Sequence, residues 1–120
     1  MGAATSCGIY VDKYLRIGYA NDTEAVKKVQ SFLNMYQNAG LVVDGAYGPL
    51  TEAAVRVFQL TRNTNVLTPW DISQSTGIFY LTTQTETNNI MCPELELPIP
   101  SPLINWSQNN TVTLPPPLAL

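Results

Sequence analysis

The side chains with chemistry to offer in this chain of 120 residues are two cysteines, nine carboxylates, six basic groups and a set of glutamine amides, with no histidine among them. Without histidine there is no Ser–His–Asp or Cys–His nucleophile, no His-containing zinc site, and no side chain of the commonest acid/base type for neutral pH. The carboxylates do not compensate. Asp12, Asp22, Glu24, Asp44 and Asp71 are scattered among turn and cap positions, and Glu94 and Glu96 sit in a proline-rich stretch where nothing holds an acid/base pair in register. No phosphate-cradling glycine loop or metal-ligand cluster occurs, so neither a cofactor nor a metal is expected. The residues point away from an enzyme.

Cys7 and Cys92 are too few and too far apart for a zinc ribbon or a Cys-x-x-Cys redox pair. Bridged, they close a loop of 84 residues, for which chain entropy gives roughly 4–5 kcal/mol. Unbridged, they are two buried thiols, the commonest fate of free cysteine. Their places at the two borders of the folded region suit a clasp, which implies an oxidising compartment. A net charge of −3 with six basic residues argues against nucleic acid, whose binding rests on neutralising phosphates. No run approaches the roughly 20 apolar residues of a membrane span. Met1 to Ser6 has neither the charge nor the apolar run of a signal peptide, so an exported form would have lost its leader; the same residues fit the short myristoylation pattern. Glycosylation sequons begin at Asn21, Asn105 and Asn109, close to chance in a chain so rich in Asn and Thr.

The elements that must position these groups follow from periodicity. At 45 % hydrophobic and only 12 % charged, the chain supports one packed domain whose polar surface leans on Thr, Asn, Gln and Ser. Asn21 to Asn38 predicts a helix, capped by Asn21 with Glu24 as its box partner and ended by Gly40; Ala25, Val26, Val29, Phe32, Leu33 and Tyr36 share one arc. Asp44-Gly45 makes a turn, and Gly48-Pro49 starts a second helix to Arg62. That helix carries apolar residues around most of its circumference, which predicts a central element with neighbours on two faces, and Glu52 and Arg56 pair across one turn. Asn63 to Ser75 reads as loop, Gly77 to Leu81 as extended, and Thr83 with Glu86 as the capping box of a third helix to Met91. Gly8 to Gly18 fits either an extended or a helical segment. Beyond Cys92 lie seven of the nine prolines, a linker or tail composition that suggests a longer natural chain. The division is therefore 1–20 as an N-terminal extension packed on the bundle, 21–92 as the helical domain and 93–120 as the tail. Residues at the apolar–polar boundary of the first two helices, Gln30, Gln37, Gln59 and Arg56, are the candidate ligand contacts. On that placement Gln59→Ala should weaken binding and spare the fold, whereas Phe58→Ala opens a core cavity costing roughly 3–5 kcal/mol.

One run is more specific. Val26 to Leu33, followed by Val43-Asp44-Gly45-Ala46-Tyr47-Gly48-Pro49-Leu50-Thr51-Glu52-Ala53-Ala54-Val55-Arg56-Val57-Phe58-Gln59, resembles the peptidoglycan-binding domain-like family: a helix with a Leu-Gln-type pair, then Asp-Gly, aromatic-Gly, Thr, Ala-Val and Phe-Gln. Val29 replaces the usual Leu, and the resemblance covers about Asn21 to Leu60. It implies a mainly α fold, a three-helix bundle, and noncovalent attachment of an exported bacterial protein to cell-wall peptidoglycan, outside the cell or in its envelope. Within the motif Asp44, Gly45, Tyr47, Gly48, Thr51 and Phe58 read as structural: glycines for unusual backbone angles, Asp44 for loop amides, the aromatics as core. The uncharged amides suit the peptide stem of the wall, with Arg56 for its terminal carboxylate. The alternative is a structural or adaptor domain that binds a protein partner.

Overall fold

The computed structural model describes residues 7–99. Their helices are α1 (Thr23–Gln37), α2 (Pro49–Thr61), the single turn α3 (Asn63–Val66) and α4 (Leu81–Met91), with 3-10 turns at Thr68–Trp70 and Pro93–Leu95. The fold is mainly helical, as the sequence predicts, and no strand forms among the described residues. The N-terminal segment is extended, which resolves its ambiguity. Leu15 and Phe79 exchange both backbone hydrogen bonds (3.0 and 2.8 Å) in an isolated antiparallel bridge, and Val11 and Leu15 are driven into the core.

α1 buries the arc expected of it, Ala25, Val26, Val29, Phe32 and Leu33. Phe32 meets Phe58 of α2 edge-on at 5.3 Å and stacks on Tyr36, which also meets Phe58 at 5.7 Å. The ends of α1 differ from the sequence reading. Asp22 rather than Asn21 is the cap, its carboxylate accepting from the Ala25 N–H at 2.8 Å. Asn21 is taken by another partner: its amide accepts from the Arg16 N–H at 2.9 Å and donates to the Arg16 carbonyl at 2.8 Å. Glu24 pairs with Lys27 instead of closing a box. Asn38, in the left-handed region at φ 57°, ends the helix before Gly40 is reached.

α2 overturns an expectation. Its buried residues are Thr51, Ala54, Val55, Phe58 and Gln59, while Leu50 is 77 % exposed and Val57 and Leu60 are about half exposed. One face packs, not two, and part of that face is polar. α4 begins at Leu81, so Thr83 lies inside its first turn and does not cap it. Glu86 is buried and pairs with Arg62 (Oε2 to Nε, 2.6 Å) while accepting from Asn65 Nδ2 at 2.9 Å. A carboxylate drawn into the interior needs this compensation, and the hydrogen bond to Glu86 in turn raises the Arg62 pKa. The supposed loop from Asn63 holds α3 and a 3-10 turn, the latter started by Pro69 with its fixed φ.

Cys7 and Cys92 are bridged, with Cα atoms 5.8 Å apart. The first residues after Cys92 are not a free linker: Asn89 donates to the Leu97 carbonyl (2.9 Å) and accepts from the Leu97 N–H (2.8 Å), turning the chain back along α4. The remainder of the tail, with Trp106 and the sequons at Asn105 and Asn109, and the Met1–Ser6 pattern lie outside the described residues.

Candidate functional site

The sequence places Gln30 and Gln59 at a boundary open to ligand; the structure buries them at 1 % and 2 % exposure. Each is saturated by a loop. Gln30 Oε1 accepts from the consecutive N–H groups of Asp44 and Gly45 (3.0 and 2.9 Å), and its Nε2 donates to the Ala46 carbonyl (3.1 Å) and the Thr51 hydroxyl (3.1 Å). Gln59 repeats the device: Oε1 takes the N–H groups of Thr76 and Gly77 (both 2.9 Å), and Nε2 donates to the Ile78 carbonyl (2.9 Å) and the Thr83 hydroxyl (3.2 Å). Asn88 of α4 does the same to the N-terminal segment, taking the N–H groups of Tyr10 and Val11 (2.8 and 2.9 Å) and donating to the Val11 carbonyl (2.9 Å). The three amides, at 30, 59 and 88, are evenly spaced along the chain. α1 thus holds the loop entering α2, α2 the loop entering α4, and α4 the segment entering α1. A primary amide has the donor and acceptor pattern of a peptide group, so it satisfies loop backbone that has no ladder partner.

The motif residues explain how the loops reach these amides. Gly45 and Gly77 have φ of 80° and 74°, and a Cβ at either would collide, with Thr23 at Gly45 and with Glu52 Cγ (2.7 Å) at Gly77. Gly48 needs no such freedom: its φ is −104° and nothing lies within 4 Å of where a Cβ would stand, so the expectation of an unusual angle there does not hold. The Tyr47 hydroxyl donates to the Gly77 carbonyl at 2.6 Å and ties the two loops together; burial pushes its pKa up, which keeps the proton in place. Asp44 is exposed, and its carboxyl pKa is held below the ordinary value by the Ala46 N–H and the Gln30 amide. Phe58 is fully buried.

Gln37 packs between helices, Nε2 donating to the Ala54 carbonyl at 2.9 Å, with Oε1 buried and unpartnered among the described residues. Arg56 alone of the four candidates lines the larger cleft. That cleft, about 590 Å³, opens between α2, the N-terminal segment at Arg16 and Ile17, and the loop from Asp71 to Ile78. Arg56 donates to the Ser75 carbonyl (2.8 Å) and faces Glu52 (3.6 Å), bracing the loop against α2. A smaller concavity of about 210 Å³ lies by the Asp44 loop, with Gln30 beneath and the apolar Val42 and Leu50 at its edge. The four predicted contacts are therefore not one edge. Sequence reasoning missed Arg16, held by Asn21 beside the Leu15–Phe79 bridge, and residues 71–76, a loop without periodicity that Arg56 and Gln59 anchor. Metal-ligating atoms gather among the described residues at Cys7, Cys92 and Glu94, but both sulfurs are spent on each other, leaving no thiolate.

Residues 22–66 match the model of the family described as "Putative peptidoglycan binding domain". The resemblance carried by the Asp44-Gly45 to Phe58-Gln59 run therefore holds, and with it the helical bundle. The matched span includes α1, α2 and α3 and leaves out the N-terminal segment, the 71–78 loop and α4. The chain finds no significant match among curated proteins or among solved structures.

Proposed function

We propose, from the match of residues 22–66 to a peptidoglycan-binding family, that this chain is a non-catalytic module attaching an exported bacterial protein to cell-wall peptidoglycan. That match is the observation on which the reading rests. The Cys7–Cys92 bridge suits the oxidising side of a membrane, and the cleft beside Arg56 is an open concavity of the size small ligands use, about 300–1,000 Å³. In this reading residues 21–92 are the binding domain, 1–20 an extension that helps to wall the cleft, and the chain beyond Leu97 a linker to whatever the module carries.

A second reading, an adaptor for a protein partner, draws on the exposed apolar stripe Leu50, Val57 and Leu60 along α2. Sedimentation with purified, protein-free cell walls separates the two. Retention in the wall pellet at moderate salt, competed by soluble wall fragments, is expected; a protein left wholly in the supernatant would shift the assignment to the adaptor.

A further inference from the structure

The larger cleft has a feature that the fold does not need. Some polar side chains lining it are committed to structure: Thr76 to Gln59 and the Ile78 N–H, Arg56 to Ser75 and Glu52. Asp71, Ser73, Gln74 and Ser75 are different. They line the cleft, and their side chains make no hydrogen bond or ion pair among the described residues. Asp71 holds a left-handed backbone conformation (φ 61°) at the close of the 3-10 turn, where its carboxylate is exposed. Across the cleft stands Arg16, placed at the rim by stacking over the Tyr19 ring (5.1 Å) and by donating to the Tyr14 hydroxyl (3.4 Å). Ile17, Ile72 and Ile78 supply apolar surface between them.

This combination selects among ligands. Among the described residues, two guanidinium groups and two carboxylates leave the cleft without a net charge, so a polyanion gains nothing from them. No aromatic ring lines it among the described residues, so a sugar finds no flat apolar face there to stack against. Separated opposite charges, uncommitted hydroxyl and amide groups and an aliphatic floor fit a short extended peptide bearing both a carboxylate and an amine. We propose that the cleft formed by Arg16, Arg56 and the Asp71–Thr76 loop binds a zwitterionic peptide, the stem-peptide part of the wall polymer rather than its glycan, with the carboxylate toward the arginines and the amine toward Asp71. The proposal rests on the wall-binding reading and goes beyond it, since Arg16 and residues 71–76 lie outside the segment that matches the family. Recognition is then shared between Arg56 of the family-matched segment and parts of the chain outside it.

The test uses the full chain and isothermal titration with a synthetic tetrapeptide carrying a free C-terminal carboxylate and a free side-chain amine. Amidating the carboxylate should weaken binding about tenfold or more, and acetylating the amine should weaken it severalfold. Asp71→Asn keeps a residue that tolerates the left-handed backbone; it should reproduce the effect of acetylation and add nothing to it. Ser73→Trp, at an exposed position, should block the cleft and abolish peptide binding with the melting temperature unchanged. Peptide-free glycan chains should give no heat. Walls that retain the Ser73→Trp variant as well as the parent, or glycan that binds as tightly as intact wall fragments, would overturn this proposal and leave wall binding standing. Peptide binding without retention on walls would do the reverse.

Discussion

The Gln59→Ala variant is expected to lose much of its stability instead of losing a ligand contact. Removing the amide strands the buried N–H groups of Thr76 and Gly77 and the Ile78 carbonyl together. Each buried polar group left without a partner costs about 1–3 kcal/mol, so the three together cost about 3–9 kcal/mol. A domain of this size has about 5–15 kcal/mol in all. Gln59→Met keeps nearly the same volume without the hydrogen bonds, and a comparable loss there would assign the effect to the bonds and not to a cavity. Urea unfolding followed by far-UV circular dichroism measures both; midpoints within a few tenths molar of the parent would show that the loop finds other partners. This is the opposite of the outcome the sequence predicts for Gln59, and the reason is its burial.

Removing the covalent clasp is the other large perturbation. In a Cys7→Ser, Cys92→Ser double variant the unfolded chain regains the freedom of the long loop between them, worth about 4–5 kcal/mol by chain entropy. Native contacts soften the loss, because Asn88 and the Leu15–Phe79 bridge still hold the N-terminal segment. A fall of well over ten degrees in melting temperature is expected on these grounds. The same fall should follow when the parent is melted in reductant, and thiol titration of the unfolded, unreduced parent should find essentially none. Equal melting temperatures with and without reductant would show that the bridge contributes nothing to the folded state.

Much of the frame was legible in the residues. α1 announces itself because six apolar side chains fall on one arc, and Asp44-Gly45 and Pro49 announce the turn and the next helix through backbone chemistry that few other residues supply. What could not be read has a common cause. Periodicity sorts positions by polarity, so it puts Gln59 outside and Leu50, Val57 and Leu60 inside, whereas α2 does the reverse. The force that buries Gln59 is the need of loop amides 17 to 19 residues further on, and no local window contains it. Glu86 misled in the same way: its spacing from Thr83 fits a cap, but its partner is Arg62, 24 residues earlier. The cleft was invisible for a related reason, being assembled from position 16, α2 and residues 71–78.

The cyclic hold of the three amides has a consequence for how the molecule comes apart. In most small domains loops open on their own, at little cost, while the helices stay intact. Here every loop that enters a principal helix is fastened to a different helix, and the last returns to the first, so releasing one strains the next. The unit of opening is then the whole ring. Native-state hydrogen exchange is the direct gauge: the loop N–H groups of Gly45, Gly77 and Val11 should exchange as slowly as those in mid-helix, through global unfolding alone. Exchange of these three at the rate of ordinary surface turns would mean that the ring opens link by link.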